Sequence, residues 1–107
     1  MSDPISSLSL LARWYAANCN GEWEHHHGIS ITSTDNPGWW IKVGLRGTAL
    51  AERSFEPVAE GLDAAGFPAQ LRWLHCCVRG DEWHGAGDET RLEELVNRFL
   101  RWSGSRE

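Results

Sequence analysis

The chain has no long apolar run, no excess of positive charge and no even set of cysteines. Each absence excludes something. No stretch approaches the ~20 apolar residues that a membrane-spanning helix needs. Lys and Arg total 10 against 15 Asp and Glu, a formal net charge of −5. That balance argues against nucleic-acid binding, which rests on a basic surface. It permits a basic protein partner, although solubility alone also accounts for it. The three cysteines are odd in number, and disulfides are rare in reducing compartments. Cys76 and Cys77 are adjacent, so along a strand they point to opposite faces and do not bond to each other. The opening Met1-Ser2-Asp3-Pro4 has neither the charged nor the apolar region of a signal peptide. Together these readings place the protein in the cytoplasm, with no membrane association.

Against these absences stands an abundance of tryptophan. The chain has 107 residues, read as one domain over residues 1–107, and seven are Trp. Four of them fall between Trp14 and Trp40. Each is a large apolar plate with one N–H that needs a partner. Trp39 and Trp73 take inward strand positions and read as core. Trp102 sits at the edge of a helical stripe. Trp14, Trp40 and Trp83 are harder to bury together, and Trp83 follows Asp81 and Glu82. Exposed Trp beside acidic residues has the composition of a protein-binding hot spot. The plainer reading is a second helix-covered sheet face.

The periodicity predicts helix, about five strands, helix. Asp3 and Pro4 suit an N-cap and first helical position. Leu8, Leu11, Ala12, Tyr15 and Cys19 then share one face, while Leu10, Trp14 and Ala17 share the other. Asn20-Gly21 ends this helix. His27 to Thr34 alternates as a strand, with Ile29 and Ile31 on one side. Asp35-Asn36-Pro37-Gly38 forms a turn in which Gly38 takes a positive φ and Asp35 bonds the backbone ahead. Trp39 to Leu45 is the second strand of a hairpin, and Thr48 to Phe55 a third strand. Glu56 to Ala69 reads as a surface loop with a helical turn near Leu62. Gln70 to Arg79, apolar on both faces, reads as a central strand. Glu82 to Ala86 is a short last strand, followed by a turn at Gly85-Ala86-Gly87-Asp88. Thr90 to Glu93 fits a capping box opening a helix with Leu92, Leu95, Val96, Phe99 and Leu100 on one stripe, stopped by Gly104. Hairpin-length connections favour an antiparallel sheet. The fold class is α+β, with both terminal helices on one face of the sheet.

Three constellations invite a chemical reading. His25-His26-His27, with His75, His84 and the cysteines, would supply metal ligands, but no paired ligand spacing accompanies them, so no metal or cofactor is assigned. Cys77-Val78-Arg79-Gly80 resembles the start of a rhodanese-type loop, yet Asp81 and Glu82 oppose the electropositive setting a reactive thiol needs. A small metal- or thiol-dependent enzyme using Cys76, Cys77 and the histidines is therefore the alternative reading. Glu22, Glu24, Asp35 and Glu82 could pair as general acid and base, but their spacing suits solvated charge and turn capping as well.

The block Trp14-Tyr15, Cys19-Asn20-Gly21-Glu22-Trp23-Glu24-His25, Gly28-Ile29 and Asp35-Asn36-Pro37-Gly38-Trp39 resembles the signature of the immunity-53 family of bacterial polymorphic-toxin immunity proteins. Trp73, Trp83-His84-Gly85-Ala86-Gly87-Asp88, Leu92, Leu95, Phe99 and Trp102 extend the likeness over nearly the whole chain. Asn20 stands where Asp is expected and Trp83 where Phe is expected, and the loop from Glu56 to Ala69 looks long. The resemblance implies a non-catalytic protein that binds a cognate toxin domain and blocks it stoichiometrically. The acidic balance fits a basic toxin such as a nuclease. The expected contact surface is Glu22, Glu24, Asp35, Trp40, Asp81, Glu82 and Trp83. The motif residues themselves, from Trp14 to Trp39, read as scaffold, with Trp23 and Trp39 bracing the first helix end against the hairpin.

Overall fold

The structure, a computed structural model, describes residues 6–106. Its elements run α1 (Ser7–Asn18), α2 (Trp23–His26), β1 (Ile29–Thr34), β2 (Gly38–Gly44), β3 (Val58–Glu60), β4 (Leu74–Arg79), β5 (Glu82–Asp88) and α3 (Leu92–Ser103). The five strands form one antiparallel sheet in the order β1-β2-β5-β4-β3. The α+β class, the five strands and the two terminal helices are as the sequence predicts.

Register places side chains on two very different faces. Directly paired residues of an antiparallel ladder share a face. Val43 pairs with Trp83 and Trp83 with Val78; Ile41 pairs with Gly85 and Gly85 with Cys76. This inner face meets Leu11 of α1 and Leu95, Val96, Phe99 and Leu100 of α3, and together they form the core. Helix α3 has the expected apolar stripe and ends at Gly104, which takes φ 85°. Helix α1 docks on α3 through Trp14 against Phe99 at 5.0 Å and through Ser7 Oγ, which donates to Asn97 Oδ1 at 2.6 Å. The helices leave the opposite face of the sheet bare.

Glycine makes the inner face possible. A Cβ on Gly85 would lie 2.6 Å from the Trp83 ring, so only glycine lets that indole lie along its own strand. A Cβ on Gly38 would lie 2.6 Å from the Gly87 carbonyl oxygen. Gly38 does not take the positive φ expected of it; it is small because β5 passes too closely for a side chain. Nor does Asp35 brace that turn. Thr34 does, its hydroxyl donating to the Asn36 carbonyl at 2.6 Å.

Several expected elements are corrected. The Asp3–Pro4 helix start lies outside the described residues; the described helix begins at Ser7, with Ser6 Oγ accepting from the Ser9 N–H. Strand β1 starts at Ile29 rather than His27, and Trp23 to His26 form the short helix α2, which the periodicity does not predict. Thr48 to Phe55 is a run of turns and irregular chain, because Leu50 is pulled into the core and the Thr48 hydroxyl closes a turn on Leu45. The third strand instead falls inside the expected surface loop, as the edge strand β3, and Leu62 bridges Pro68 where a helical turn was expected. Strand β4 starts only at Leu74, and Leu71 is 93 % exposed. Strand β4 is an interior strand, as expected, but the middle of the sheet is β5, which runs through both glycines to Asp88, so Gly85 to Asp88 is no strand-to-helix turn.

The start of α3 is also differently built. Thr90 does not cap the helix, and Arg91 at the N-cap makes no side-chain capping bond. Asp88 has taken the donors. It is 1 % exposed. Its Oδ2 accepts from the Trp73 N–H at 2.8 Å, and its Oδ1 from the Thr90 N–H at 2.9 Å and the Thr90 hydroxyl at 2.6 Å. Burial alone would raise the carboxyl pKa. The Thr90 and Trp73 donors, with the Arg91 guanidinium, outweigh it and hold the group down at about 2, against 3.8 for a free side chain.

A folded-state pKa below the unfolded value contributes stability that is present above pH 3.8 and is lost as pH falls toward 2. Asp88→Asn should therefore cost about 2 kcal/mol at neutral pH. Denaturant unfolding should show the gap between parent and variant narrowing through that acid window. Gly38→Ala should cost about 1–3 kcal/mol through the clash with Gly87, read in the same assay at pH 7.

Candidate interaction surface

The bare face of the sheet is built from the residues that alternate with the core. Thr32 pairs with Trp40, Trp40 with Ala86 and Ala86 with His75. One register step along, Ser30 pairs with Lys42, Lys42 with His84 and His84 with Cys77. At the end of the strands Gly44 pairs with Glu82 and Glu82 with Arg79. Trp40 is 41 % exposed at the middle of this surface.

Trp40 is held in place rather than loose. Its Nε1–H donates to His84 Nδ1 at 3.2 Å, and His84 Nε2 lies 3.3 Å from Glu82 Oε1. The Lys42 ammonium sits 4.8 Å from the Trp40 ring centroid, within reach of a cation–π contact. Glu82, His84, Trp40 and Lys42 thus form one chain of contacts. A shallow depression of about 140 Å³ lies beside it, lined by Trp40, His75, Cys77, Arg79, His84 and Ala86. An aromatic side chain already fixed in rotamer loses little entropy when a partner covers it.

The expected contact residues are only partly brought together. Trp40, Asp81 and Glu82 lie on or beside the bare face. Glu22 is exposed in the loop before α2, near the Glu82 end of the sheet. Asp35 sits in the β1–β2 turn at the opposite end, because Gly38 pairs with Asp88 while Gly44 pairs with Glu82. Trp83 is not at the surface: it is fully buried, with Phe99 at 5.3 Å and Phe55 at 6.0 Å across its ring edges. Its position on the inner face follows from pairing with Val43, a register that acidic neighbours in sequence do not reveal. Sequence reasoning missed Lys42, His75, His84 and Arg79 as members of the face. Their strict alternation with Ile41, Val43, Cys76, Val78 and Trp83 was the available signal.

Glu24 is committed to the chain itself. Its two carboxylate oxygens accept from the Asn20 and Gly21 N–H groups at 2.9 and 2.8 Å, and Asn20 Oδ1 in turn accepts from Glu22 and Trp23. This reciprocal clasp opens α2. Donation from backbone amides, its own first, lowers the Glu24 pKa. Trp23 packs on Trp14 and Tyr15 and donates to the Arg46 carbonyl, whereas Trp39 donates to the Glu89 carbonyl. The two do not brace each other; each ties its own element to a different loop. Trp73 is half-buried and stands outside the core.

The thiols and imidazoles do not converge. Cys76 faces the core and Cys77 the bare face. Burial pushes the Cys76 thiol up to about 12. All three cysteines are free. Among the described residues no group of three or more His, Cys, Asp or Glu side chains is arranged to hold a metal ion, and no helix is long and apolar enough to cross a membrane.

The architecture is that of a small α+β domain with one open sheet face, on which indole, imidazole and charged side chains are spread out rather than gathered in an enclosed cavity. The chain belongs to the immunity protein 53 family, whose family model matches residues 8–104. No curated protein and no solved structure matches it.

In the native state Cys76 should resist aromatic disulfide reagents at pH 8 and react only on unfolding, while Cys19, half-exposed beside Tyr15, reacts at once. Thiol titration with and without denaturant reads this directly.

Proposed function

We propose that this protein binds a cognate toxin domain in the cytoplasm and neutralises it stoichiometrically, by covering or trapping it rather than by catalysis. Membership of the immunity protein 53 family over residues 8–104 is the observation that carries this reading. The bare sheet face supports it, because an exposed, rotamer-fixed Trp ringed by charged side chains suits a protein–protein contact. The proposed contact set is Trp40 with Asp81 and Glu82, extended by Lys42, His84 and Arg79 on the same surface and by Glu22 at its end. Trp83, Glu24 and Asp35 leave the set, the first because it is buried, the second because its carboxylate is occupied and the third because it lies at the opposite end of the sheet.

The charge of the partner follows from the whole chain rather than from the face. The bare face mixes Lys42 and Arg79 with Glu82, so it is not acidic in itself. The net charge of −5 is spread elsewhere, and it would speed encounter with a basic toxin, such as a nuclease, at long range. The depression beside Trp40 holds only about 140 Å³, less than the several hundred typical of small-molecule sites, which favours a protein contact on this face.

Trp40→Ala should leave the fold intact and weaken toxin binding by about 1–3 kcal/mol, the range of a truncated hot-spot aromatic. Glu82→Lys should weaken it as well. Calorimetric titration against the toxin encoded beside the gene, together with cell-protection assays, checks both; variants that bind and protect as well as the parent would place the contact elsewhere. The association rate should fall with rising salt, and a salt-insensitive rate would remove the basic-partner component alone.

A further inference from the structure

The two edges of the sheet are treated very differently. Strand β3 is short, and its pairing Val58↔Cys76 and Glu60↔Leu74 leaves Ala59 as the strand residue whose N–H and C=O face outward. Glu60 on this strand is ion-paired to Arg91 and Arg98 of α3, and the Leu62–Pro68 bridge follows at once. These are devices that blunt an edge. Strand β1 at the other edge has none of them. Ile29 to Thr34 contains no charge, no Pro and no bulge, and pairs with β2 in unbroken register.

The outward groups of β1 can be named. The Gly44 N–H donates to the Gly28 carbonyl at 2.8 Å, which makes that a hydrogen-bonded pair of the ladder. Alternation then turns Ser30, Thr32 and Thr34 toward β2. Ile29, Ile31 and Ser33 therefore present their N–H and C=O groups to the open edge. Ile31 is also 39 % exposed. Beside it, between β1 and α1, runs an open groove of about 490 Å³ lined in part by Leu8, Ala12, Tyr15 and Ile29. Unpaired backbone and exposed apolar side chains thus coincide on one side of the molecule, with Glu24 and His27 supplying the polar part of the groove.

We propose that this edge pairs with the same edge of a second copy, antiparallel about Ile31, to make one continuous sheet across a symmetric dimer. The outward row is its own complement. Ile31 meets Ile31 of the other copy, Ile29 meets Ser33 and Ser33 meets Ile29, and each such pair exchanges two N–H···O bonds. Strand β1 itself carries no charged side chain, so no like-charge pair faces another across the seam. The bare sheet face around Trp40 stays free on both copies.

Light scattering coupled to size exclusion over a concentration series tests this. The parent should approach twice the 12.0 kDa chain mass. Ile31→Pro removes an N–H that β2 does not use, so the monomer should keep its circular dichroism and thermal midpoint yet remain at 12.0 kDa. Ile31→Lys, which places a charge on the edge, provides the same test should the proline variant misfold. A parent that stays monomeric up to millimolar concentration, or a dimer that survives both Ile31 variants, would overturn the proposal.

Discussion

The position of the Trp83 indole over Gly85 is the constraint on which the rest of this fold depends. A Cβ at Gly85 would meet that ring at 2.6 Å, so the largest side chain on the central strand is accommodated only because its neighbour two residues on has no side chain. With the ring lying along the strand, α3 can approach, and Leu95 lies next in line over Gly85. Phe99 then meets Trp83 on one side and Trp14 of α1 on the other. Phe55 closes over Trp83 from the irregular segment, and Trp102 packs on both phenylalanines. One large-beside-small pair on β5 thus positions both terminal helices and the loop before β3. Interiors are packed closely enough that such a pair cannot be moved without repacking its neighbours.

Covering only one face of the sheet has a functional consequence. Every residue that alternates with the core is delivered to an open, flat surface. There Glu82, His84, Trp40 and Lys42 align because their strands are paired, not because they are near in sequence. A surface of this kind suits recognition of another protein more than turnover of a small molecule. The family to which the chain belongs agrees with that use. The same architecture creates the two edges, and their different treatment distinguishes a protected strand from an available one.

Much of the fold was legible in the sequence. The two long helices, the β1–β2 hairpin, the inward set Trp39, Ile41 and Val43, the opposite facing of Cys76 and Cys77, and the Gly104 stop all follow from periodicity and turn chemistry. The errors have a common cause. Thr48 to Phe55 alternates well enough for a strand, but Leu50 is needed in the core and no neighbouring strand offers it a ladder. Thr90 to Glu93 matches a capping pattern, but Asp88, buried next door, claims the Thr90 hydroxyl first. Gly38 looked like a turn glycine and is instead a close-approach glycine under β5. In each case a local preference of about 1 kcal/mol yielded to a tertiary contact of equal or greater worth. The candidate surface was less legible. Trp40 and Glu82 were readable as exposed, but nothing local separates them from Trp83, which is acidic-flanked and aromatic as they suggest a contact residue should be.

The sequence by itself determined the class, the element order and the family, because alternation, helical stripes and a dense Trp–Gly–Asp signature are local properties of the chain. The tertiary structure alone decided which strand is central, which Trp is core and which polar residues share a surface. Those depend on register between segments distant in sequence, and a shift of one residue in pairing exchanges the two faces of a strand. Strand order and register are set by which large residues find small partners across the sheet, as Trp83 finds Gly85, and that choice exists only once the strands have met.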